Sequence, residues 1–135
     1  MSYTTRQRNR DFLNTCRQRL KCMRRDGRNP TLRHLVIDVL SRPAPCYYVD
    51  SYYANRVLIP ALEDGLPDHK YSCRAMFGDM LRDLAELRRR HPSRPVRDLI
   101  LELCCGLAGK PRFYISVRRA LEIASPHFQS VITTE

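Results

Sequence analysis

The chain has 135 residues, of which 43% are apolar and 28% charged, and it carries a net charge of +10. That length fits one ordinary domain or two small units sharing a core, and the composition excludes a chain that is disordered throughout. Arginine supplies nearly all the positive charge, 21 residues against 3 lysines, and an excess of this size favours polyanionic partners.

Residues 1–10 are polar and show no hydrophobic period, so a flexible basic arm is expected there. A helix is predicted over 11–25, with Phe12, Cys16, Leu20 and Met23 on one face. Arg17, Lys21 and Arg24 form a stripe beside that face, extended at its ends by Arg10 and Arg28. Asp26-Gly27 stops the helix. A second helix follows from about Thr31 to Leu40, with Leu32, Leu35, Val36, Val39 and Leu40 buried; Ile37 widens its apolar arc and argues for a central position. Pro43 and Pro45 break it and hold the next residues extended.

The link contains Pro45-Cys46-Tyr47-Tyr48-Val49. Asp50 or Ser51 then caps a third helix that buries Ala54, Val57 and Leu58 and ends at Pro60. Residues 63–70, EDGLPDHK, read as a linker. After it comes a helix with Met76, Phe77, Met80, Leu81, Leu84 and Leu87 inward, closing on Arg88-Arg89-Arg90. A helix from Val96 to about Cys104 follows, then a loop, the stretch Arg112-Phe113-Tyr114-Ile115-Ser116, and a last helix over 117–124 stopped by Ser125-Pro126.

The pattern occurs twice. At an offset of 64, Leu20 overlies Leu84, Arg24-Arg25 overlies Arg88-Arg89, Arg33 overlies Arg97 and Leu35 overlies Leu99. At an offset of 66, Pro45, Tyr48, Ala54 and Pro60 overlie Pro111, Tyr114, Ala120 and Pro126. The fold expected is all-α: six helices in two tandem helix-helix-link-helix units, residues 11–62 and 71–132, related by a pseudo-twofold and packed as one domain. The two links are in reach of forming a minimal two-stranded ribbon.

The first residues, MSYTTRQRNRDFL, lack the apolar core of a secretory signal, and no apolar run reaches the roughly 20 residues of a membrane span. A soluble, cytoplasmic protein without a membrane partner is expected. None of the six cysteines forms a CxxC pair and their spacing with the four histidines does not match a zinc site, so no metal or cofactor is expected. No Gly-rich phosphate loop, HExxH or supported nucleophile is present. The carboxylate pairs Asp79–Asp83 and Asp38–Glu102 have no histidine partner. The chain therefore reads as non-enzymatic.

Charge is uneven. Residues 1–34 hold ten Lys and Arg against two Asp, whereas residues 35–70 hold three against five acids. The expected function is binding of nucleic acid, with duplex DNA favoured, by a monomer or homodimer. The residues assigned to it are Arg10, Arg17, Lys21, Arg24, Arg25 and Arg28 in the first unit, and Arg88, Arg89, Arg90, Arg94, Arg118 and Arg119 in the second. A second reading is a protein-interaction module, adaptor or inhibitor, that grips an acidic partner. The cluster Tyr47, Tyr48, Tyr52, Tyr53 reads better as helix packing than as a base-stacking platform.

Overall fold

The computed structural model describes residues 2–67 and 73–132. Within them the protein is all-α, with six helices and no strand: α1 (Tyr3–Arg25), α2 (Leu32–Leu40), α3 (Ser51–Asp64), α4 (Arg74–Arg90), α5 (Val96–Cys105) and α6 (Val117–Phe128).

The hydrophobic period selects the buried faces. In α1 these are Phe12, Cys16, Leu20 and Met23; in α5 they are Leu99, Ile100 and Leu103. Side-chain caps start four helices: Ser2 accepts from the Thr5 N–H at 3.2 Å, Thr31 from the His34 N–H at 3.2 Å, Asp50 from Tyr53 at 3.2 Å and Ser116 from Arg119 at 3.1 Å.

Four expectations need correction. Residues 1–10 are not a loose arm, because α1 begins at Tyr3. Ser2 caps it by accepting from the Thr5 N–H, the Gln7 amide donates to Asp11 one turn on, and Arg10 donates to Gln7 Oε1 at 2.6 Å. Polar pairs at helical spacing hold a turn that has no apolar face for periodicity to detect. The matched prolines do not end their helices either: Pro60 lies inside α3 and Pro126 inside α6. Each forfeits one backbone hydrogen bond, but the turns beyond them bury Ala61 and Phe128, which hold the helices on. Ile37 is not central; it is 44% exposed, as is the aligned Leu101 at 49%, because each lies opposite its helix's covered side. The links form no ribbon. Ala44 N–H donates to the Pro111 carbonyl at 2.9 Å, and no strand forms among the described residues. Pro43, Pro45 and Pro111 lack the N–H groups a ladder needs.

The largest difference concerns which helices pack together. The compact units are not 11–62 and 71–132. One is continuous, Ala44–Tyr114, and contains α3, α4 and α5; the other is discontinuous, Met1–Pro43 with Ile115–Glu135, and contains α1, α2 and α6. α3 packs on α4 and α5, while α6 packs on α2 and α1. Relative to the two aligned stretches, the third helices are exchanged. Of the linker expected over 63–70, residues 63–64 close α3 and 68–70 lie outside the described residues.

In the continuous unit, Tyr47 and Leu58 share a core with Phe77, Met80, Leu84, Leu99, Ile100 and Leu103. Each such side chain contributes about 1.5–3 kcal/mol on burial. Two aspartates one turn apart on α4 fix the links over this core. Asp83 accepts from the Tyr47 hydroxyl and from the Lys110 N–H at 2.8 Å. Asp79 accepts from the Tyr114 hydroxyl at 2.6 Å. Burial pushes both phenols up, and the aspartate acceptors push them further, so both stay protonated donors. Tyr47 stacks on Tyr114 with centroids 6.0 Å apart, and Tyr48 stacks on Phe113 at 6.1 Å. Tyr114 is the one non-glycine residue with positive φ among those described, at 54°.

In the discontinuous unit the Asp38 carboxylate accepts from Arg19 at 2.8 Å and from Arg42 at 3.0 Å. Partial burial pushes this carboxyl up, but the hydrogen bonds from the two guanidinium groups outweigh it and hold it below the usual carboxylate range.

Three outcomes follow from this packing. Gly106 closes α5 at φ 78°, and an added Cβ would overlap the Pro45 carbonyl oxygen, whereas Gly27 at φ 80° has open space around it. Gly27→Ala should cost about 1 kcal/mol and Gly106→Ala at least about 2 kcal/mol more, as read by urea unfolding. Asp38→Asn should cost about 0.5–1 kcal/mol at neutral pH. Because the folded carboxyl is depressed, its stabilisation is complete above the unfolded value of about 3.9 and is lost as pH falls through the folded value; the gap between wild type and variant should therefore close below about pH 4. Burial pushes the Cys16 and Cys104 thiols up to about 12, while Cys73 and Cys105 are exposed. Iodoacetamide at pH 7.5 should alkylate Cys73 and Cys105 in the folded protein, and Cys16 only after unfolding, as resolved by peptide mass.

Candidate nucleic-acid interface

The stripe on α1 is fully outside the core. Arg17, Lys21 and Arg24 are exposed and follow the i, i+4, i+7 spacing of one face. Arg17 donates to the Asn14 side-chain oxygen at 3.0 Å, and Arg24 donates to the Val131 carbonyl at 2.6 Å. Both acceptors are neutral, so both charges stand uncompensated. Lys21 makes no hydrogen bond or ion pair with any described residue. Arg19, on another face of α1, is the one neutralised by Asp38.

α6 completes the site. Its last turn and the residues after it place His127, Phe128 and Val131 against Arg17, Leu20, Lys21 and Arg24 around a cleft of about 320 Å³. Leu20 and Phe128 are buried and form an apolar floor; the rim carries the cations. Among the described residues no carboxylate lines it. Such a cleft can take an anionic group at its rim and an apolar body over its floor. His127 and Val131 were missed from sequence because α6 was grouped with α4 and α5, its neighbours in chain order.

The remaining assigned residues divide by compensation. Arg10 bonds the neutral Gln7 side chain, Arg25 donates to the Cys22 sulfur at 3.3 Å, and Arg28 pairs with no described residue. Arg118 and Arg119, in the first turn of α6, both turn to Glu122, at 3.7 and 2.9 Å. That carboxylate offsets the unfavourable placement of two cations at a helix N-terminus.

In the continuous unit, Glu86 takes both Arg89 at 2.6 Å and Arg90 at 3.1 Å, and hydrogen bonding from Arg89 holds its carboxyl below the ordinary value. Arg94 reaches Glu102 at 2.9 Å. Arg88 alone of this run has no carboxylate partner among the described residues. The basic run after α4 is thus largely self-neutralised, and the α1 stripe is not.

The carboxylate pairs singled out from sequence are all engaged. Asp79 and Asp83 accept from tyrosine hydroxyls, and Asp38 and Glu102 accept from arginines. Among the described residues no group of three His, Cys, Asp or Glu side chains is placed to hold a metal ion, and no helix is long and apolar enough to cross a membrane. No family model, curated protein or solved structure matches this chain.

Proposed function

We propose that the protein binds nucleic acid, with duplex DNA as its ligand, through the α1 face and without catalysing a reaction. The observation that carries this reading is the row Arg17, Lys21, Arg24, uncompensated among the described residues, around a cleft that no carboxylate of the described residues lines. Three cations held on one rigid helix repel one another; phosphates relieve that repulsion and release their counterions. Arg25 and Arg28 extend the row at the helix end, and Arg88 supplies a further free cation. Arg89, Arg90, Arg94, Arg118 and Arg119 contribute less, because each must first leave a carboxylate.

The aligned stretches support a duplicated scaffold beneath this surface. Asp38 and Glu102 align, and both accept from arginine; Asp50 and Ser116 align, and both cap a helix; Tyr47 and Phe113 align, and both are buried. The basic stripe belongs to one copy's first helix only, and the cleft beside it is closed by α6 of the other aligned stretch.

One observation favours an acidic protein partner as a second reading: the cleft floor of Leu20 and Phe128 suits an apolar anchor flanked by carboxylates. The two readings separate by experiment. Anisotropy with a short labelled duplex should give affinity that falls steeply with KCl, and replacing Arg17, Lys21 and Arg24 by Gln should flatten the log–log slope by about 3, at roughly 0.9 per phosphate contact. Affinity insensitive to salt, or a slope unchanged in the triple variant, overturns the nucleic-acid reading. A defined partner retained on the immobilised protein after nuclease treatment, and released by the same triple substitution, supports the protein partner instead.

A further inference from the structure

The continuous unit carries a second cleft that the α1 reading does not use. It encloses about 340 Å³ and is lined by Tyr52, Asn55, Arg56, Ile59, Pro60 and Arg97. Five of these lie on one face of α3 at i, i+3, i+4, i+7 and i+8, and Arg97 comes from the first turn of α5, which packs against α3.

The chemistry of the lining is specific. Tyr52 is 70% exposed, although Tyr47 in the same aromatic cluster is buried and Tyr53 meets Phe77 edge-on. Its ring therefore has no packing role. Arg56 and Arg97 are exposed and pair with no carboxylate among the described residues. Asn55 Oδ1 is shielded from solvent and has no hydrogen-bond partner among the described residues. An orphaned acceptor of this kind is rare in folded proteins. No hydrogen bond ties that oxygen to its present orientation, and a half-turn about χ2 exchanges it with the amide nitrogen, bringing the acceptor to the cleft. Ile59 and Pro60 add an apolar wall.

We infer that this cleft binds a nucleoside 5′-phosphate, with adenine as the preferred base. The base stacks on Tyr52, as bases stack on exposed aromatic side chains in single-strand binders. The phosphate lies between Arg56 and Arg97, where guanidinium groups meet its oxygens in paired hydrogen bonds. With its amide turned, Asn55 accepts from the adenine N6 amino group, the acceptor half of the pairing that asparagine makes with this base. A carboxylate ligand would use the arginines but leave Tyr52 and Asn55 idle, and a plain hydrophobe would leave the arginines idle. The nucleotide arrives either free or as an unpaired residue of a strand; both present the same base and phosphate. This site does not depend on the α1 interface, which belongs to the other unit.

Calorimetric titration of the full chain with AMP, UMP, inorganic phosphate and a short oligo(dA) strand tests it. AMP is expected to bind, and Tyr52→Ala and Arg56→Gln/Arg97→Gln should each weaken it roughly tenfold or more. These three side chains are exposed, so melting temperatures should be unchanged. Asn55→Ala should erase the preference of AMP over UMP. Tighter binding of oligo(dA) than AMP, lost in Tyr52→Ala, assigns the site to unpaired strands; equal binding assigns it to free nucleotide. Inorganic phosphate binding as tightly as AMP, an unaltered affinity in Tyr52→Ala, or no heat with AMP at millimolar concentration overturns the inference. Replacement of Arg17, Lys21 and Arg24 by Gln should leave AMP binding intact, so failure of either interface is read separately.

Discussion

Two carboxylates one helical turn apart hold the continuous unit to its links. Asp83 receives the Tyr47 hydroxyl and the Lys110 backbone, and Asp79 receives the Tyr114 hydroxyl. Both tyrosines come from irregular segments that contain prolines and have no ladder of their own. A segment of that kind is ordered by a few strong, partly buried hydrogen bonds or not at all. The path of each link, and so the destination of the helix it delivers, depends on those two acceptors. The positive φ of Tyr114 is held by the same contacts, since a bulky residue adopts that conformation only where its surroundings fix it. Gly109 lies close by, and a Cβ there would come within 2.8 Å of Asp83 Oδ2. The network thus constrains loop, link and helix at once.

The charge distribution gives a physical criterion for separating decorative cations from useful ones. The chain has 24 Lys and Arg residues against 14 acids, so many cations must lack a partner. The pairing is selective. Glu86, Glu102 and Glu122 consume arginines near the end of α4, in the turn after it and at the start of α6. Among the described residues, cations without a carboxylate partner include the α1 stripe and both arginines of the α3–α5 cleft. Exposed pairs are individually weak, so the compensated arginines are not strongly sequestered. The ordering still follows: among the described residues a ligand meets no competing carboxylate at Lys21 or Arg56 and must displace one at Arg89.

Much of the fold was legible in the sequence. Phe12, Cys16, Leu20 and Met23 are buried together because a 3.6-residue period leaves no other face to hide, and Thr31, Asp50 and Ser116 cap because their oxygens reach an amide three residues on. The helical state of residues 3–10 was hidden, since polar i, i+4 pairing leaves no hydrophobic trace. The continuation past Pro60 and Pro126 was hidden because it rests on burial of Ala61 and Phe128, a tertiary effect. Partner choice among helices was hidden most completely. Periodicity identifies the face to be covered and says nothing about which helix covers it. The α1 stripe could therefore be read in advance, while His127 and the meeting of Arg97 with Tyr52 and Arg56 could not. Tyr52 itself lay within a cluster read as packing, and only its solvent exposure sets it apart.

The exchange of third helices also sets a timetable for synthesis. The continuous unit is complete once residue 114 has left the ribosome, and its core of α3, α4 and α5 can close then. The other unit cannot. α1 and α2 precede α6 by many residues, and Leu35, Val36 and Val39 wait for the cover that Ala120, Ala124 and Phe128 bring. Until α6 is made, α2 carries an uncovered apolar face. Residues 1–34 hold ten Lys and Arg, and the like charge they give the segment opposes its self-association while that face is open.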